Sequence, residues 1–92
     1  MIIRELNEIE NKELKHAIDI LSKMHNGNRY HFQYLYIDPV GGCDIQFEGV
    51  ISEPDIEMFF KLLGDEDSLE YNYDFTYRNN STSIFTKDGW KY

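Results

Sequence analysis

At 92 residues the chain is long enough for one domain around a single modest core, and its 15% aromatic content is not that of a disordered chain. No apolar run approaches the roughly 18–20 residues of a membrane span. A net charge of −8, with eleven acids against Lys61 alone between residues 38 and 77, opposes direct contact with nucleic acid or an anionic membrane, which need Lys and Arg.

In chain order, Met1-Ile2-Ile3 reads equally as a short lead strand or as a frayed start. Asn7 with Glu10 has the spacing of a capping box, and Asn11 is a second candidate N-cap. Leu14, Ala17, Ile18, Leu21 and Met24 then recur at helical spacing, and Asn26-Gly27 is a stop signal. The first helix runs between these marks.

Tyr30 to Ile37 and Cys43 to Glu48 alternate bulky and polar residues around Asp38-Pro39-Val40-Gly41-Gly42, which predicts a β-hairpin. Two registers fit it. A four-residue loop at 39–42 pairs Tyr36 with Ile45 and turns the aromatics inward. A five-residue loop at 39–43 pairs Ile37 with Ile45 and Leu35 with Phe47, and leaves the aromatics outside. Either way the outer face mixes apolar groups with Asp44, Gln46 and Glu48.

Ser52 as N-cap, Pro54 in the first turn and Asp55 closing a capping box predict a second helix. Ile56, Phe59, Phe60 and Leu63 give its apolar stripe, and Gly64 ends it. Asp65-Glu66-Asp67-Ser68 is an acidic connector. Leu69, Tyr71, Tyr73, Phe75 and Tyr77 alternate with Glu70, Asn72, Asp74, Thr76 and Arg78, the pattern of a strand with one buried face. Asn79-Asn80 fits a two-residue type I′ turn that would set Phe75 against Ile84 and Tyr77 against Thr82, with Phe85 beside Asp74 on the polar side. Asp88-Gly89 turns the chain again before Trp90 and Tyr92, which either dock or stand exposed. The fold expected is α+β: helix–hairpin–helix–hairpin (αββαββ), residues 1–92 forming an antiparallel sheet of about four strands with both helices on one face. The other face would display Glu70 and Asp74, with Asp44 and Glu48.

No residue pattern marks an enzyme. His16, His25 and His31 lack metal-ligand spacing, so neither metal nor cofactor is expected. Cys43 after Gly41-Gly42, with His31 on the paired strand, has the makings of a thiol–base pair, but a small buried hydrophobe at a strand start accounts for it more simply. The single cysteine and the absence of an apolar leader fit a reducing, cytoplasmic setting.

Size, acidity and predicted architecture are similar in kind to immunity proteins that neutralise bacterial toxins and to small phage inhibitors of bacterial defence nucleases. No residue roles carry over from either group. The resemblance implies an inhibitor that binds a basic partner protein, of nuclease or toxin type, with nucleic-acid mimicry as one form of it. Asp65, Glu66, Asp67, Glu70 and Asp74, then Asp44 and Glu48, are the expected contact residues, because they carry the charge of the acidic section. The alternative is a structural or regulatory module that pairs with itself, as a homodimer through the outer hairpin face.

Overall fold

A computed structural model describes residues 2–23, 28–39, 41–64, 66–87 and 92. The elements run β1 (Ile2–Arg4), α1 (Lys12–Ser22), β2 (His31–Ile37), β3 (Cys43–Glu48), α2 (Glu53–Leu63), β4 (Leu69–Phe75) and β5 (Asn80–Thr86). Short 3-10 turns precede α1 and β4. The strands form one antiparallel sheet in the order β1-β2-β3-β5-β4. There are five strands rather than about four, because the chain start pairs Ile2 with Ile37 and Arg4 with Leu35.

Asn11, not Asn7, caps α1: its Oδ1 accepts from the Leu14 N–H at 3.1 Å, while Asn7 lies in the preceding 3-10 turn. Leu14, Ala17, Ile18 and Leu21 bury the predicted stripe. Met24 and the Asn26-Gly27 stop lie outside the described residues. Helix α2 begins after Ser52 and ends at Gly64, which adopts φ 74°. Its capping box is remodelled. The Ser52 N–H donates to the Tyr30 hydroxyl (3.1 Å), which donates to Asp55 Oδ2 (2.8 Å), while Ser52 Oγ donates to the same carboxylate oxygen (2.9 Å). Tyr30 and Asp55 are both buried, so the start of α2 is bolted to the entry of β2.

The first hairpin takes neither predicted register. Its loop is 38–42, closed by the Gly41 N–H to the Asp38 carbonyl (3.1 Å), and it pairs Ile37 with Cys43 and Leu35 with Ile45. That lies two residues from the longer-loop alternative, so the inward face is the same: Leu35, Ile37, Cys43, Ile45 and Phe47 are buried. A bulge at Gln33 then flips the strand, since Tyr34 pairs with Gln46 but Phe32 with Phe47. Phe32 therefore turns inward and packs edge-on against Phe47, with centroids 5.7 Å apart.

The second hairpin is displaced by four residues from the type I′ expectation. Tyr71 faces Ile84, Tyr73 faces Thr82, and Phe75 faces Asn80. A longer turn follows, in which the Thr76 N–H donates to the Asn79 carbonyl (2.7 Å) and Asn79 Nδ2 donates to Asp74 (3.1 Å). The uniformly buried face expected for this strand is also corrected. Leu69 is buried, but exposure rises to 38% at Tyr73, 80% at Phe75 and full exposure at Tyr77.

Both helices pack on the face carrying Leu35, Ile45, Phe47 and Ile84, and their Leu14, Ile18, Leu21, Ile56 and Phe59 complete the core. Thr82 is a buried polar member of it. Its hydroxyl donates to the Gly49 carbonyl (2.8 Å) and accepts from the Ile51 N–H (2.9 Å), tying the β3–α2 connection to β5. Among the described residues no helix is long and apolar enough to cross a membrane.

Candidate functional site

The face of the sheet opposite the helices is assembled from strand alternation. Directly opposed residues share a face, so the registers place it in three rows. The first row is Ile3, Tyr36, Asp44, Phe85 and Glu70. The second is Tyr34, Gln46, Ser83 and Asn72. The third is His31, Glu48, Ser81 and Asp74. Among the described strand residues this face holds four carboxylates and no Lys or Arg.

Asp44 and Glu48 stand four residues apart on β3, as Glu70 and Asp74 do on β4, with β5 between the two strands. Standard sheet spacings put the four at the corners of a rectangle of about 10 by 13 Å. Glu48, Glu70 and Asp74 are exposed. Asp44 is half-buried between its cross-strand neighbours Tyr36 and Phe85. That burial pushes its carboxyl above the usual range, against the opposing pull of a 2.7 Å hydrogen bond from Gln46 Nε2. A partner cation reaching this row would therefore meet a carboxylate that is poorly hydrated and has no Lys or Arg beside it among the described strand residues. Ile3 and Phe85 remain 46% and 37% exposed in the same row, giving an apolar strip beside the acids.

Of the residues expected to bind a partner, Asp44, Glu48, Glu70 and Asp74 share this surface. Glu66 and Asp67 form the short turn that leads into β4, and the Asp67 carbonyl accepts from Lys87 Nζ at 3.0 Å. Asp65 lies outside the described residues. Sequence reading missed the place of Tyr34, Tyr36 and Ile3 beside the acids, because it left the hairpin register open. It also set Phe85 beside Asp74, whereas Phe85 stands between Asp44 and Glu70.

The rows end at an open cleft of about 700 Å³ whose lining includes Glu5, Arg29, His31, Gln33, Glu48 and Asn80. Arg29 Nε donates to the Ser22 carbonyl across it (3.2 Å). Cys43, on β3, is at the far end of the same hairpin, opposite Ile37, which lies six residues along β2 from His31, a separation of about 20 Å. Its thiol faces the helices, bonds Thr86 Oγ1 at 3.1 Å, and is pushed up by burial. The two cannot form a thiol–base pair. Among the described residues no three of His, Cys, Asp and Glu converge as metal ligands; His25 lies outside them. Tyr92 borders a cleft with Arg4, Glu8 and Glu10, and Trp90 lies outside the described residues.

No known protein family, curated protein or solved structure matches this chain.

Proposed function

We propose that this chain is a small protein-binding module of the inhibitor class, which engages a basic partner protein through the open face of its sheet. The observation that carries the reading is the composition of that face: Asp44, Glu48, Glu70 and Asp74 without a Lys or Arg among the described strand residues. Uncompensated charge of one sign steers an oppositely charged protein into encounter and fixes its orientation. The neighbouring Ile3, Tyr36 and Phe85 supply apolar area to hold it once docked. A toxin or nuclease whose own ligand is polyanionic presents a surface of the required sign.

The spacing favours recognition of a protein surface over close imitation of a nucleic-acid duplex. A duplex carries one charge per roughly 1.7 Å of axis, so a 13 Å length holds about eight phosphates where this face offers four carboxylates. Self-association is the second reading, and the apolar strip favours it. Face-to-face pairing, however, would bring Glu48, Glu70 and Asp74 against the carboxylates of the second copy, which costs affinity.

The test is association kinetics with a captured partner. Neutralising Asp44, Glu48, Glu70 and Asp74 to their amides should slow association and flatten its dependence on salt. A variant carrying Glu10→Gln, Glu13→Gln and Glu57→Gln, on the helices or ahead of them, should bind as the parent does. Equal kinetics for the parent and the open-face variant would remove the assignment.

A further inference from the structure

One edge of the sheet carries more than the open face requires. Strand β4 is terminal in the order β1-β2-β3-β5-β4, and among the described residues nothing pairs with its outer side. It is seven residues long and pairs with β5 without a register shift, whereas the opposite edge, β1, has three residues. Exposed edges of this length are usually blunted by Pro, Lys or a bulge, because their free N–H and C=O groups template another strand. The segment Leu69–Phe75 has none of these. Its only guards are Glu70 and Asp74 on the open face.

On its other face β4 bears a graded row of aromatics. Phe60 of α2 packs edge-on against Tyr71 (centroids 5.9 Å apart) and Tyr71 packs at a tilt against Tyr73 (5.1 Å), but Phe75 is left 80% exposed. Tyr77 follows in the turn, fully exposed. Apolar rings left in water beside an unpaired edge suit side chains of an added strand. In the register that pairs the whole strand, charge counts against a second copy. Antiparallel pairing centred on Asn72 would set Glu70 of each copy against Asp74 of the other, like charges directly opposed at both ends.

Resting on the reading of a basic partner, we propose that the outer edge of β4 is a strand-addition site for an extended segment that alternates basic and apolar residues. Its Lys or Arg side chains lie against Glu70 and Asp74. Its apolar side chains cover Tyr73 and Phe75, while backbone hydrogen bonds along β4 supply affinity that does not depend on charge.

The probe is a seven-residue peptide alternating lysine and valine, compared with the same peptide carrying proline in place of its central valine. Hydrogen exchange of the full chain is read residue by residue. The alternating peptide should slow every second amide of β4, since strand N–H groups point alternately to the two sides. The proline peptide, of equal charge, should bind about tenfold more weakly, having lost one backbone N–H and the fit of the strand around it. Phe75→Lys, at a site too exposed to disturb the core, should weaken the alternating peptide as well. Equal affinity for the two peptides, or binding without protection of β4, would overturn the edge site. That result would leave the open-face reading to be judged by its own neutralised variant. Dimerisation of the chain through β4 would also overturn the proposal, by making a second copy the occupant.

Discussion

Tyr30→Phe is the substitution whose cost the structure defines most closely. The ring is buried at 6% exposure and keeps its packing as Phe, so the change isolates the hydroxyl. Two hydrogen bonds pass through that oxygen: one donated to Asp55 at 2.8 Å and one accepted from the Ser52 N–H at 3.1 Å. A bond to a charged acceptor contributes about 1.5–3 kcal/mol, and an orphaned buried N–H costs about 1–3 kcal/mol. Asp55 retains its bond from Ser52 Oγ, and the Ser52 N–H is only partly buried, so water restores some of the loss. The expected destabilisation is therefore about 2–3 kcal/mol, or roughly 10–20 °C in melting temperature for a domain of this size. Urea unfolding followed by circular dichroism measures it, with Tyr77→Phe, at a fully exposed ring, as the neutral control. A loss below about 0.5 kcal/mol with an unchanged denaturant slope would refute the idea that this network anchors α2 to the sheet.

Three further outcomes follow from particular residues. Gly42 and Gly64 share a left-handed backbone, φ 75° and 74°, but a Cβ at Gly42 would strike the Thr86 carbonyl while one at Gly64 meets nothing within 4 Å. Gly64→Ala should cost about 1 kcal/mol and Gly42→Ala at least about 2 kcal/mol, by chemical denaturation; equal costs would contradict the clash. Cys43 should resist alkylation under native conditions and react only at the rate of unfolding, because burial raises its pKa and closes access; mass spectrometry of timed samples shows which holds. Asp44 has its pKa raised in the folded state, so the native chain binds more protons than the unfolded one through the carboxylate range, and stability falls as pH rises. Asp44→Asn should thus equal or exceed the parent in unfolding midpoint at neutral pH, with the difference closing near about pH 4; a variant weaker at neutral pH would reverse the sign.

The helices were legible because their signals are local. Asn11 caps α1, Gly64 stops α2, and 3.6-residue spacing selects the buried stripe of α1 and, in α2, the buried Ile56 and Phe59 with Phe60 and Leu63 partly buried beside them. The inward faces of β3, β4 and β5 were legible too, since alternation is a matter of parity, but the two registers considered for the first hairpin bury opposite faces of β2. Registers were not. The first hairpin is shifted by two residues from the longer-loop pairing, which keeps its faces, and by one from the shorter-loop pairing, which reverses β2; the second is shifted by four, which keeps its faces. What fixes register is turn geometry, here Gly41 at φ 120° and Gly42 at φ 75° in one loop and a Thr76–Asn79 turn in the other. The bulge at Gln33 breaks parity within β2 and has no signature in an evenly alternating run. Three residues are too few for β1 to show a period. The acids of the candidate face were read correctly as outward, but their setting among Tyr34, Tyr36, Phe85 and Ile3 depends on pairings that only the folded sheet defines.

The central claim is that the open face recognises a basic protein. Tagged parent and open-face variant (Asp44→Asn, Glu48→Gln, Glu70→Gln, Asp74→Asn) would each be incubated with lysate of the host and of its competitors or prey, and washed at low and then high salt. The account predicts a basic protein retained by the parent, released by salt, and absent from the variant. The same protein held equally by both, or a bound partner indifferent to salt, would contradict it.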